Sequence, residues 1–122
     1  MKKILMIVGV VLVVILLFSA CQAGPQVRVI ELVAYQWDWT PETITVKQGE
    51  EVRLVITSTA EVDSAWPQHG FVLEGYNINR ILPVGETAVV EFVADKAGEF
   101  SFICSIFCGD GHEGMIGTLK VE

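Results

Sequence analysis

Beyond residue 26, no stretch of eleven or more residues keeps a hydrophobic period of 3.6, whereas several keep a period of two. That alternation confines the chain to β structure. Val52, Leu54 and Ile56 recur at every second position, as do Phe100 and Phe102, with Cys104 next in phase. Val27 and Val29 share one phase, Ile30, Leu32 and Ala34 take the other, and Tyr35, Trp37 and Trp39 return to the first. Two phase changes predict one strand with bulges, or an edge strand that switches sheets. Further strands are expected over 43–47, 69–74, 87–94 and 116–121. Turn signals at Gln48-Gly49-Glu50, Pro83-Val84-Gly85 and Asp95-Lys96-Ala97-Gly98 divide them. About seven short strands at this spacing predict an all-β fold, a Greek-key β-sandwich or barrel, in one domain.

The first 21 residues are of another kind. Lys2 and Lys3 precede an apolar run over 4–18 broken only by Gly9, and Ser19-Ala20 are small, which is the order of an export signal. The run is shorter than the ~20 residues that span a hydrocarbon core. Its end, Phe18-Ser19-Ala20-Cys21, resembles the lipobox of bacterial lipoproteins, with Phe18 where leucine is usual. The resemblance implies that Cys21 is lipidated and becomes the mature N-terminus; the alternative is a retained short membrane anchor. Either way the domain is expected to be membrane-tethered: residues 1–21 are a lipoprotein-type signal segment or a short anchor, 22–26 form a short linker, and 27–122 form the folded domain. The domain is expected on the extracytoplasmic face of a prokaryotic membrane, periplasmic or outer. The net charge of −7 becomes −9 once Lys2 and Lys3 are set aside. That balance argues against a nucleic-acid partner and suits electrostatic steering toward a basic protein.

Chemistry is concentrated in Cys104-Ser-Ile-Phe-Cys108-Gly-Asp-Gly-His112-Glu-Gly-Met115. The spacing would align these side chains on a helix face, but Gly109, Gly111 and Gly114 disfavour a helix, and a loop is expected. Such a loop can turn two thiols, an imidazole and a thioether toward one small object. This soft set favours copper over magnesium, calcium or manganese, and methionine beside cysteine and histidine is typical of electron-transfer copper sites. His69, the only other histidine, opens a predicted strand that could rest against the loop. Three other readings compete. A Cys104–Cys108 disulfide suits an oxidising compartment but leaves His69, His112 and Met115 unexplained. A structural zinc site from Cys104, Cys108, His112 and His69 has the right ligand count but no use for Met115. Met115 as core filler is the third, and its place three residues after His112 speaks against it. No water-activating acid–base pair or nucleophile constellation appears, so the domain alone is expected to perform no bond chemistry.

The motif Cys-x3-Cys-x3-His-x2-Met, with a histidine on an earlier strand, resembles the binuclear CuA site of cytochrome c oxidase subunit II and its relatives. These are cupredoxin-like domains. His69-Gly-Phe-Val-Leu-Glu-Gly-Tyr-Asn-Ile-Asn79, Leu82-Pro-Val-Gly-Glu86 and Ala97-Gly-Glu-Phe100 are similar to the short subunit II of the b-type (ba3-like) oxidases. A mononuclear blue-copper cupredoxin resembles these in fold but has a single thiolate ligand. The resemblance, over residues 29–122, implies two copper ions bridged by the sulfurs of Cys104 and Cys108. His69 and Met115 would complete one copper, and His112 with the backbone carbonyl of Ile106 the other. Two shared thiolates would spread one unpaired electron over the cluster, so bond lengths should change little on reduction. Phe100, Phe102, Ile103, Phe107 and Ile116 are expected to limit solvent around it.

The same resemblance implies a respiratory-chain role, taking single electrons from cytochrome c or a small copper protein and passing them to the catalytic subunit of a heme-copper oxidase. Two departures bear on that role. Larger subunits of this kind carry an acidic residue two positions after the first cysteine, which helps bind magnesium at the catalytic-subunit interface; here that position is Ile106. They also carry two membrane helices, against one short apolar segment at most in this chain. The rivals are therefore a free-standing, membrane-tethered CuA lipoprotein that relays electrons elsewhere or helps mature a copper site, and a copper-binding or storage module without redox duty. The segment over 60–68, with Trp66, is longer than a minimal turn and has no assigned role.

Overall fold

Among the described residues the chain forms nine strands, most of which alternate buried and exposed positions. A computed structural model describes residues 26–60 and 65–122, together with Met1, Lys3 and Gly24. The expected signal or anchor apart from Met1 and Lys3, the lipidation position Cys21, most of the 22–26 linker and the middle of the 60–68 segment lie outside the described residues. Among the described residues no helix is long and apolar enough to cross a membrane.

The strands are β1 (Arg28–Tyr35), β2 (Asp38–Thr40), β3 (Thr43–Val46), β4 (Glu51–Thr59), β5 (Gln68–Leu73), β6 (Ile78–Pro83), β7 (Thr87–Val93), β8 (Gly98–Ile103) and β9 (Ile116–Val121). One 3-10 turn, His112–Gly114, interrupts the connection between β8 and β9. Two sheets form, one in the order β2-β1-β4-β7 and the other β3-β9-β8-β5-β6. β4 illustrates the underlying physics: Val52, Leu54, Ile56 and Ser58 are buried while Arg53 and Thr57 face water. The inward residues of both sheets meet in one core. Trp39 occupies its centre, with its ring 5.6 Å from those of Phe71 and Phe102 in edge-to-face contact. Each fully buried Leu, Ile or Phe here contributes on the order of 1.5–3 kcal/mol relative to exposure.

The expected bulged first strand is not what forms. β1 pairs in parallel with β4 without interruption, from Arg28 opposite Val52 to Tyr35 opposite Thr59. Its core face is Ile30, Leu32 and Ala34, while Val29 is 56% exposed on the outside. An outward valine pair therefore imitates a phase change. The second change is a two-residue hairpin at Gln36 and Trp37, closed by the pairing of Tyr35 with Asp38, with Gln36 at a φ of 51°. The expected change of sheet does occur, one step later: β2 lies in the first sheet and β3 in the second. The alternation does not reveal β6, because Asn79, Arg80 and Ile81 are all exposed on this outer strand. Its signal is the turn Gly75-Tyr76-Asn77, where Gly75 and Asn77 adopt positive φ and close the hairpin with β5.

Candidate metal centre

Three strands of one sheet deliver the candidate ligands to one end of the sandwich. His69 is the second residue of β5, Cys104 directly follows β8, and Met115 directly precedes β9. The loop can approach β5 only because residue 70 is glycine. A Cβ there would overlap Ser105 Oγ and stand 2.9 and 3.0 Å from the backbone nitrogens of Ser105 and Ile106. That closeness lets the Gly70 N–H donate to Cys104 Sγ at 3.3 Å.

The expected ligands converge. Cys104 and Cys108 are both free, with their sulfurs 3.4 Å apart, well beyond the ~2.05 Å of a disulfide. Cys104 Sγ lies 3.2 Å from the carbonyl oxygen of Ile106. Cys108 Sγ lies 3.7 Å from His112 Nδ1 and 4.0 Å from Met115 Sδ. His69, Cys104 and Cys108 each point one donor atom into a common space less than 4.8 Å across. His69, Cys108 and Met115 are each at most 2% exposed, and His112 is half-buried.

Fit to a metal can be judged on His69. Its Nε2 lies 3.2 Å from the Thr59 carbonyl, which selects the tautomer with the proton on Nε2. Its Nδ1 is then a bare lone pair, fully buried and without a hydrogen-bond partner. A buried polar nitrogen left this way costs about 1–3 kcal/mol unless something accepts its lone pair. With two free thiols beside it, the acceptor that matches is a soft metal ion held by nitrogen and sulfur. The thiols are not equivalent. Burial raises Cys104, but the His69 ring when it carries a proton toward the sulfur, the Gly70 N–H and the Ile106 backbone outweigh it and bring the group down to about 6. Cys108 is pushed up to about 12 by burial and by the neighbouring Cys104 sulfur. Cys104 therefore ionises more readily than Cys108, and a metal that binds both displaces the protons that remain.

The loop is held from the opposite sheet by groups to which sequence reasoning assigns no part in the site. Trp37 donates its indole N–H to the Cys108 carbonyl at 3.2 Å. Its ring lies against Gly109 and Gly111, where any Cβ would collide with it. Trp39 donates to the Met115 carbonyl at 3.1 Å, and the same carbonyl accepts the Cys104 N–H at 3.2 Å. The apolar surroundings also differ in part from expectation. Phe102 is buried in the core, but Phe100 packs on Tyr76, and Phe107 and Ile116 are 54% and 49% exposed. The outer cover keeps Phe107 of the expected set and adds Trp37 and Trp66, the last in edge-to-face contact with Phe107 at a centroid distance of 4.9 Å. Phe107 in turn lies 5.7 Å from the His112 ring.

Comparison with known proteins agrees with this geometry. Residues 8–117 match the model of the cupredoxin-like domain family. Cytochrome c oxidase subunit 2 of Thermus thermophilus is 37% identical over 105 residues, which cover 85% of this chain and 73% of that one. A second such subunit, also from Thermus thermophilus, is matched at the same identity over 58% of its length, so this chain spans rather more than half of that relative. A heme-copper terminal oxidase structure superposes with a TM-score of 0.66 at 21% identity, covering 99% of this chain and 96% of that one. A copper binding protein solved in the apo form superposes with a TM-score of 0.60 at 29% identity, covering 83% and 93%.

Proposed function

The chain belongs to the cupredoxin-like domain family and, within it, to the relatives of cytochrome c oxidase subunit II, and from that premise we propose that it is a binuclear copper domain that carries single electrons. The observation that carries this reading is the buried, unpartnered Nδ1 of His69 beside two free cysteine sulfurs 3.4 Å apart. Cys104 and Cys108 would bridge two copper ions, with His69 and Met115 on one and His112 and the Ile106 carbonyl on the other. When bound, copper supplies a one-electron couple. The residues supply the rest. Thr59 fixes the ring of His69, Gly70 supports the Cys104 sulfur, and the pinned loop keeps the donors from moving as charge changes.

The half-exposed aromatics Trp37, Trp66 and Phe107, on a chain of strongly negative charge, suit docking of a basic electron donor, either cytochrome c or a small copper protein. The acceptor on this reading is the catalytic subunit of a heme-copper oxidase. A lipid on Cys21, or a short anchor in residues 1–21, would hold the domain at the outer face of the membrane. A second reading is supported by the similarity to a small copper binding protein over nearly all of that protein's length: a free-standing, tethered copper domain that serves another acceptor or stores the metal.

Full-length protein in detergent, loaded with copper and freed of excess, tests the centre. Two copper ions per chain and an electron-spin signal shared over both nuclei are expected. Loss of that signal is expected in either Cys104→Ser or Cys108→Ser, since on this reading both sulfurs would be needed to hold the metal pair. One copper per chain, or a blue mononuclear spectrum, would overturn the binuclear assignment. Co-purification with a heme-copper catalytic subunit separates the two biological readings.

A further inference from the structure

Trp39 touches three of the segments that deliver ligands, those of His69, Cys104 and Met115. Its ring packs edge-on against Phe71, two residues after His69, and against Phe102, two residues before Cys104. Its indole N–H donates to the Met115 carbonyl at 3.1 Å. That carbonyl also accepts the Cys104 N–H at 3.2 Å, so a single oxygen ties the two ends of the loop together and Trp39 ties that oxygen to the other sheet. Trp39 is 1% exposed, so no water competes for the bond. On the backbone, Met115 is held by little else: its own N–H bonds to His112 within the short 3-10 turn.

We propose that Trp39 is a positioning residue that acts through Met115: its indole N–H fixes the Met115 peptide and thereby sets how closely the thioether approaches the metal. The proposal rests on the copper reading above. A thioether is a weak ligand whose distance is easily changed, so the electronic properties of the site are more sensitive to this peptide than to any thiolate-bearing one. The ring and the N–H have separable duties. The ring fills the core between β5 and β8, and the N–H orients one carbonyl.

The test removes the N–H and keeps the ring. Full-length Trp39→Phe protein, and protein carrying benzothienylalanine in place of Trp39, which keeps the bicyclic shape and lacks the N–H, are each made with Met115 intact and with Met115→Leu. Midpoint potential and copper release to a chelator are measured, with amide exchange of Cys104 followed in the metal-free protein. With Met115 present, loss of the N–H should shift the potential and speed copper release about fivefold, the factor corresponding to one buried hydrogen bond. Metal-free Cys104 exchange should quicken as well. In the Met115→Leu background the same change should move potential and release by less than about half as much, because the route through the thioether is gone. Equal effects in both backgrounds would make Trp39 a packing residue only, and no effect in either would also overturn the proposal. The benzothienylalanine protein decides the matter if Trp39→Phe does not fold. Failure of the copper reading is distinct: wild-type protein would take up no copper, and the proposal would fall with it; a potential unchanged by Met115→Leu in copper-loaded protein would instead overturn the thioether route alone.

Discussion

Gly70→Ala isolates the contact that brings the metal loop onto β5. The added Cβ overlaps Ser105 Oγ, which can rotate away, and stands 2.9 and 3.0 Å from two backbone nitrogens, which cannot. Strand and loop must therefore part by several tenths of an ångström. Overpacking of this kind costs about 1–3 kcal/mol, which lowers the metal-free melting temperature by roughly 5 to 20 °C in a domain of this size. Ser105→Ala in the same chain should restore only part of that loss, because the backbone contacts remain. The separation also weakens the Gly70 N–H bond to Cys104 Sγ, one of the groups that lower that thiol. Thiolate absorbance of the metal-free protein should accordingly titrate above about 6, closer to the ordinary thiol value of about 8.5. Calorimetry and an ultraviolet pH titration read the two effects independently. An unchanged melting temperature together with an unchanged Cys104 titration would refute the packing of the loop against β5.

Ile106→Gln should leave the copper spectrum nearly unchanged, because the proposed ligand is a carbonyl, whereas Ile106→Pro should disturb it by fixing φ and restricting Ser105; equal loss in both would refute the carbonyl assignment. Metal-free stability should pass through a maximum near pH ~8.5 in calorimetric scans. Cys104, lowered to about 6, adds stability that is present above its ordinary value and lost as pH falls through about 6, while Cys108, pushed up to about 12, stays protonated where the unfolded chain ionises, so stability falls from about pH 8.5 upward. Monotonic behaviour across that range would contradict the unequal thiols. Cys21→Ser should abolish any lipid mass on the membrane-bound protein, and an intact mass equal to unmodified residues 1–122 in the wild type would overturn lipid attachment.

Period-two patterning made the sandwich legible because each core strand buries one face and wets the other, as β4 does. It failed where that condition fails. Val29 faces outward on β1, and β6 exposes three consecutive residues, so neither follows the pattern. The donor set was legible for a different reason: cysteine, histidine and methionine are rare, and those within or facing one loop leave few alternatives. What sequence could not supply was the groups that act through hydrogen bonds to carbonyls. The Thr59 carbonyl behind His69 and the carbonyls gripped by Trp37 and Trp39 belong to the backbone, and nothing in a residue's identity states where its carbonyl points.

The division of labour between the sheets gives the site support that does not come from a metal. Every proposed ligand comes from the β3-β9-β8-β5-β6 sheet or from its β8–β9 loop, whereas Thr59, Trp37 and Trp39 come from the β2-β1-β4-β7 sheet and its first hairpin. Ligand geometry therefore depends on how the two sheets are registered against each other, and that register is set by the apolar core between them. A loop with three glycines has little stiffness of its own. Here it borrows stiffness from the core through two indole N–H bonds and one histidine ring. A substitution that lets the sheets shift, even far from Cys104, should loosen the donors together, while a substitution on the outer face of β1, such as at Val29, should leave them in place.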